Sequence, residues 1–175
     1  MRITISGPPG SGTTSLARYL AEKHGLRVIS AGEMFRTLAK ERGMDLARFG
    51  KLAESDPAVD KLIDARQKET AEAEDNIVAE GRLSGWMVSN ADLKIWLSAS
   101  MECRTTRISS RDGEGEDDAR RHTEERQACE RGRYLSYYDI DIEDLSAYDL
   151  VLSSERWDVE GLGAIVDAAI ASLHE

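Results

Sequence analysis

Residues 2–24 read as one unit: "RITIS", then "GPPGSGTTS", then "LARYLAEKH". A strand that runs straight into a glycine-rich turn and then into a helix leaves the chain few ways to fold. Its chemistry follows from the same geometry. Glycines let backbone N–H groups curl around an anion without side-chain obstruction. The helix behind them adds unsatisfied N–H groups and about half a positive charge. Against the pattern G-x-x-x-x-G-K-[ST], Gly7 and Gly12 fall in place and Thr14 takes the hydroxyl position, but Thr13 stands in the lysine slot. Gly7, Pro8, Pro9, Gly10, Ser11, Gly12, Thr13, Thr14 and Ser15 therefore form a candidate phosphate cradle without its usual ammonium. The Thr14 hydroxyl is the candidate Mg²⁺ ligand, with Ser15 as a substitute. The competing reading is a tight turn that binds nothing.

The remaining chain alternates short apolar runs with helix-period segments, the signature of a parallel sheet covered by helices. Strands are expected at Arg2–Ser6, Arg27–Ser30, Asn76–Glu80, Leu93–Leu97 and Asp149–Ser153. The first helix should run from about Gly12 to just before Gly25, and the second from Gly32 to Arg42, stopped by Gly43. Asp56–Pro57 offers an N-cap followed by proline at the first helical position. From there Val59, Leu62, Ile63, Arg66 and Thr70 share one helical face. A final helix carries Val159, Leu162, Ile165, Val166, Ala169, Ile170 and Leu173, which read as core. No internal repeat is visible, and 175 residues suit one compact domain.

A formal charge of −10 argues against a general nucleic-acid or anionic-membrane surface. Any phosphate chemistry must come from a local cluster of cations. Six of the 23 basic residues are lysine and the other 17 are arginine, whose planar fork suits phosphate oxygens. Cys103 and Cys129 show neither close pairing nor metal-ligand spacing. His24, His122 and His174 are scattered. No run of 18 apolar residues exists, and the start "MRITISG" lacks the apolar core of a signal peptide. The expectation is a cytoplasmic monomer handling small molecules, with neither nucleic acid nor membrane as partner.

Two regions complete the candidate site. Residues 112–118, "DGEGEDD", read as a mobile surface loop flanked by Arg104, Arg107 and Arg111 on one side and Arg120, Arg121, Arg126 and Arg133 on the other. A flexible tip between basic helices would make a lid over phosphates; a solvated helical hairpin with intrahelical ion pairs is the alternative. On the other side, "SAGEMFR" places Ser30, Gly32 and Arg36 after the second strand, and "EGRLSGW" places Glu80, Gly81 and Arg82 after the third. Parallel sheets bind ligands outside the C-terminal ends of their strands, so these turns converge on one crevice. In "ERQACERGRY", Arg126, Glu130 and Arg133 share a helix face, a candidate clamp of two arginines with a carboxylate between them. As a surface row each pair would be worth only about 0.2–0.5 kcal/mol.

Together "GPPGSGTTS", "SAGEMFR", "IDARQ" (63–67), "EGRLSGW", "ERQACERGRY" and "YYDIDIEDLSAYDLVLSS" resemble the nucleoside monophosphate kinase family, and most closely its archaeal-type cytidylate kinases. The resemblance covers nearly the whole chain. It implies an α/β P-loop nucleotide kinase fold with a five-stranded parallel sheet and helices on both faces. It further implies a monophosphate-binding insertion at about 31–75 and a short lid at about 110–125. The activity it implies is transfer of the γ-phosphate of ATP to CMP or dCMP, with Mg²⁺. By match, Gly7 to Ser15 would cradle ATP, while Ser30, Gly32, Arg36, Arg66, Glu80, Gly81 and Arg82 would meet the acceptor. Arg82, Arg126 and Arg133 resemble the catalytic arginines, and Glu130 the acid that approaches the ribose. Thr13 departs from the loop lysine of most relatives. Leu83 stands where bacterial cytidylate kinases carry a second acid. Other acceptors (AMP, UMP) and a low-turnover nucleotide switch are the rival readings; no N-K-x-D motif supports a guanine switch.

Overall fold

Along Arg2–Ser6 (β1), Ile3 and Ile5 point to one face and Thr4 and Ser6 to the other, and all four are fully buried. A strand buried on both sides sits in the middle of a covered sheet. The computed structural model describes residues 1–173, apart from the side chains of Leu46 and Ala47; His174 lies outside the described residues. In chain order, β1 leads through α1 (Thr13–His24) to β2 (Arg27–Ser30), then through α2 (Ala31–Glu41), α3 (Leu46–Ser55) and α4 (Pro57–Ala73) to β3 (Ile77–Glu80). After β3 come α5 (Ser84–Met87), β4 (Leu93–Ser98), α6 (Met101–Asp112), α7 (Glu116–Tyr138), β5 (Leu150–Ser153) and α8 (Val159–Ala171). All strand pairs are parallel in the order β2-β3-β1-β4-β5. The chain moves out from β1 on one side and returns to its other side at β4, so the switch point lies at the C-terminal end of β1, where the glycine-rich turn begins.

The sheet is sandwiched. Helices α1 and α8 cover one face, packing Leu16, Leu20, Leu162 and Val166 on Ile3, Ile5, Ile95 and Leu97. On the other face Ile29, Ala71, Ile77, Ala79 and Val88 form a second cluster beneath α4 and α5. Helices α2, α3 and α4 enclose a small core of their own around Phe49, with Leu38, Ala53, Val59 and Ile63.

The expected strand bounds hold to within one residue, and Gly25 ends α1 in the left-handed region at φ 65°. Asp56 caps α4 by accepting from the Ala58 N–H, with Pro57 as the first helical residue. Three expectations are corrected. The buried face of α4 is Val59, Asp60, Ile63, Gln67 and Ala71, while Leu62 and Arg66 are exposed. Leu173 lies beyond α8 and is 42 % exposed, not core. The loop expected over 112–118 shrinks to residues 113–115: Gly113, at φ 71°, ends α6, and the acids Glu116, Asp117 and Asp118 form the first turn of α7. There they face the positive end of the helix dipole.

Candidate active site

The turn after β1 is closed by the Ser11 N–H donating to the Pro8 carbonyl at 3.1 Å. Gly10 and Gly12 sit at φ 81° and 90°, conformations that side chains disfavour. A Cβ at Gly7 would lie 2.5 Å from Ser11 Oγ and 2.6 Å from the Leu97 carbonyl oxygen. Gly12 caps α1 with no side-chain acceptor, and no acid occupies the first turn, so the helix start is free to meet an anion. Three arginines grip the outside of the turn. Arg82 Nη1 donates to the Gly7 carbonyl in a short contact, Arg104 Nη1 to Pro9 at 3.1 Å, and Arg107 Nη1 to Gly10 at 3.3 Å. Beside it lies a cavity of about 460 Å³ walled by Pro8, Arg82, Trp96, Met101, Arg104 and Gln127, among others.

Glu80, at the end of β3, ties the two sides of the crevice. Its Oε1 accepts from Thr13 Oγ1 at 2.7 Å and Thr14 Oγ1 at 3.3 Å, and its Oε2 accepts from Ser30 Oγ at 2.6 Å. Gln67 holds the strand end from below: its Nε2 donates to the Glu80 carbonyl at 2.8 Å, and its Oε1 accepts from Ser84 Oγ at 2.9 Å. A Cβ at Gly81 would come within 2.8 Å of the Ala31 Cβ, so the chain can turn off β3 here only with glycine.

Past that turn, Arg82 Nε donates to Glu130 Oε2 at 2.6 Å, and Arg126 Nε to Glu130 Oε1 at 2.7 Å. Burial alone would raise the Glu130 carboxyl, but the Arg82 and Arg126 guanidinium groups outweigh it and hold the group down at about 2. Arg133 is not part of this set. It lies 2.9 Å from Asp60 Oδ2 on α4, an ion pair without hydrogen-bond alignment. The expected clamp of Arg126, Glu130 and Arg133 is therefore corrected: Glu130 joins Arg126 to Arg82, and Arg133 reaches across to the α2–α4 unit. A second link between the same helices is Tyr138 OH donating to Asp64 Oδ2 at 2.7 Å.

Arg36 and Arg66 are exposed and make no hydrogen bond or ion pair among the described residues. Arg66 rims a cavity of about 250 Å³ with Ser30, Glu33, Met34 and Thr37, and Arg36 lies beside Gly32. Of the other arginines near the hairpin tip, Arg111 pairs with Asp112, Arg120 with Glu124 and Arg121 with Asp118 at the surface. The structure adds Gln67, Asp60, Asp64 and Tyr138, residues to which sequence reading gave no role of their own, and it places Arg104, expected among the lid arginines, buried against the Pro9 carbonyl. "IDARQ" contained two of them, but buried polar positions on a helix leave no periodic trace.

A parallel sheet with a glycine-rich turn at its switch point and arginines converging from the following crossovers defines the class: an α/β kinase of the P-loop kind. Solved structures of the same fold include shikimate kinase from Bacteroides thetaiotaomicron (TM-score 0.65, 13 % identity, 98 % of each chain) and shikimate kinase from Acinetobacter baumannii in complex with shikimate (TM-score 0.66, 15 % identity, 98 % of this chain and 93 % of that one). Residues 2–156 match the Cytidylate kinase-like family, and the chain belongs to it. Its curated relatives include a cytidylate kinase from Methanoculleus marisnigri, 70 % identical over 99 % of this chain and 96 % of the relative. Another, from Archaeoglobus fulgidus, is 50 % identical over 97 % and 94 %. No helix among the described residues is long and apolar enough to cross a membrane.

Proposed function

We propose that this protein transfers the γ-phosphate of ATP to CMP or dCMP, giving ADP and CDP or dCDP. The relatives named above support the acceptor. The observation that carries the site is Arg82, whose guanidinium spans from the Gly7 carbonyl of the loop to Glu130 of α7 and so joins the donor and acceptor sides at one rim. Ser11 Oγ and Arg82 Nη2 are buried there without a partner among the described residues. Buried polar atoms are rarely left unsatisfied, and Arg82 lines the adjoining cavity, where a bound phosphate oxygen would serve its Nη2.

In this reading the Gly7–Ser15 loop and the start of α1 hold the ATP phosphates. Arg82 and Arg126, locked in place by Glu130, face the bond-making region, while Ser30, Gly32, Arg36, Arg66 and Gly81 border the acceptor. An acceptor phosphate oxygen forms a new P–O bond as the bond from the γ-phosphorus to the β–γ bridging oxygen breaks. Positioning and charge neutralisation suffice for this, with no covalent intermediate. The donor set also fits Mg²⁺. Thr14 Oγ1 and Glu80 offer hard oxygen atoms at one point, and among the described residues no cluster of three or more His, Cys, Asp or Glu exists that would bind a metal on protein ligands alone. When bound, Mg²⁺ would neutralise charge on the phosphate oxygens. The α6–α7 hairpin would close as a lid and exclude water. The proposal includes a cytoplasmic monomer, for which sedimentation at 19.4 kDa is the mass check.

The test is an acceptor profile with ATP and Mg²⁺ in a coupled ADP assay. CMP and dCMP should be turned over ahead of UMP and AMP; a clear preference for UMP or AMP overturns the acceptor assignment.

A further inference from the structure

Arg104 is 5 % exposed, and every group it donates to is neutral. Its Nε reaches the Ala99 carbonyl at 3.1 Å, its Nη1 the Pro9 carbonyl at 3.1 Å and Gln127 Oε1 at 2.5 Å, and its Nη2 the Met101 sulfur at 3.6 Å. Among the described residues no carboxylate pairs with it. Burial, and after it the Arg82 guanidinium, pulls its pKa down. The other well-buried arginines of the site have acids: Arg82 has Glu130 and Arg133 has Asp60. A buried charge without a counter-charge is costly, and this one is held against the phosphate loop.

The contact is close on both sides. A Cβ at Gly10 would lie 2.8 Å from the Arg104 carbonyl oxygen, so α6 is pressed directly onto the loop. In a trans peptide the C=O of one residue and the N–H of the next point in opposite directions. By holding the Pro9 carbonyl outward, Arg104 turns the Gly10 N–H the other way, and that N–H makes no hydrogen bond among the described residues.

We propose that Arg104 replaces, from behind the loop, the positive charge that Thr13 cannot supply, and that it fixes the Pro9–Gly10 peptide for the triphosphate, whose arrival provides its missing counter-charge. Arg104 acts through the loop and is a positioning residue. The inference rests on the reading that the loop binds a triphosphate, and its test is kept separate from turnover.

The probe is inorganic tripolyphosphate, titrated calorimetrically into the full-length protein at fixed salt. Arg104→Gln should weaken binding by about tenfold or more, as expected for loss of a buried charge facing an anion. Arg104→Lys, which keeps the charge but loses the fork, should stay within about threefold of the natural protein. Thr13→Lys should restore about fivefold or more in the Arg104→Gln background and add less than about twofold in the natural one, the non-additivity of two groups serving one charge. Glu80 faces residue 13 in both backgrounds and cancels from that comparison.

The inference is overturned if Arg104→Gln binds like the natural protein, if Gln and Lys lose binding equally, or if Thr13→Lys gains the same factor in both backgrounds. Should Arg104→Gln fail to fold, Arg104→Lys decides: binding within threefold supports the inference, and a tenfold loss refutes it. Intact tripolyphosphate responses without CMP turnover would strike the acceptor reading alone. Normal CMP turnover with tripolyphosphate binding indifferent to Arg104→Gln would strike this inference alone.

Discussion

Thr13 Oγ1 donates a 2.7 Å hydrogen bond to Glu80 Oε1, so the residue in the lysine slot faces across the crevice to the end of β3. The same carboxylate collects Thr14 and Ser30, and with them both the loop and the start of α2. Replacing Glu80 by Ala strands three hydroxyl groups at a position only 7 % exposed. The expected cost is about 1–3 kcal/mol, or a Tm lowered by roughly 2–4 °C per kcal/mol for a chain of this size. Turnover should fall by at least about tenfold, because the donor and acceptor sides lose their common tether. Thermal melts and initial rates check this; an unchanged rate would mean the tether is dispensable.

Removing Arg133, paired with Asp60 on α4 and outside the Arg82–Glu130–Arg126 set, tests whether it serves the chemistry as well as the fold, and its partner makes the two separable. Arg133→Ala is expected to lower turnover by about 10²-fold or more if this group meets transition-state charge. It should also destabilise the fold, since Asp60, buried beside it, keeps a carboxylate with no cation. Burial raises the Asp60 pKa, Arg133 opposes that, and Glu130 adds to it. The double variant Arg133→Ala/Asp60→Asn should therefore recover stability while turnover stays low. A natural rate in Arg133→Ala would remove this arginine from the chemistry.

The Asp60–Arg133 pair also marks where the sequence stops being legible. Five strands could be read because their apolar runs are short, β-branched and bounded by turns, and the loop because its glycines are spaced as phosphate binding requires. The α7 face bearing Arg126, Glu130 and Arg133 was visible from spacing, yet spacing cannot say which arginine takes the carboxylate. That depends on Arg82 arriving from β3 and Asp60 from α4. Likewise α4 buries Asp60 and Gln67 because the end of β3 and α7 offer them partners, so its buried face keeps Val59 and Ile63 of the expected row but is rotated away from Leu62 and Arg66. Arg104 looked like one lid arginine among several; only its burial and its neutral partners set it apart.

Gly10 tests whether α6 must press on the loop. Alanine there would bear a Cβ 2.8 Å from the Arg104 carbonyl oxygen, at φ 81°. Strain and clash together should cost about 1–3 kcal/mol, and the loop should yield before α6 does. Gly10→Ala is expected to raise the KM for ATP more than it lowers kcat, because the Gly10 N–H is displaced from the phosphates. Equal KM values for the two proteins would show that the loop tolerates the methyl group and that the contact does not shape it.

Two carboxyl groups at the α4–α7 and β3–α7 contacts titrate in opposite directions. Burial pushes Asp64 up to about 6, against the hydrogen bond from Tyr138, with Asp60 adding to the rise and Arg133 opposing it. The folded protein thus holds this proton more tightly than an unfolded chain with a value of 3.8, so the stabilisation is complete below about 3.8 and lost as pH rises through about 6. Glu130 is the reverse: held at about 2 against 4.5, it stabilises above about 4.5 and ceases to as pH falls through about 2. Asp64→Asn keeps an oxygen for Tyr138 and removes the charge. At about pH 8 it should raise stability, by up to about 3 kcal/mol from the full shift, and near pH 3.5 by nothing. Denaturant melts across that range should lose part of their slope between about pH 4 and 6, Asp60 retaining its own share, while keeping the acid limb to which Glu130 contributes. If Asp64→Asn is instead less stable at pH 8, the Asp64 carboxylate is at ease beside Tyr138, and the α4–α7 contact carries no buried-charge penalty at neutral pH.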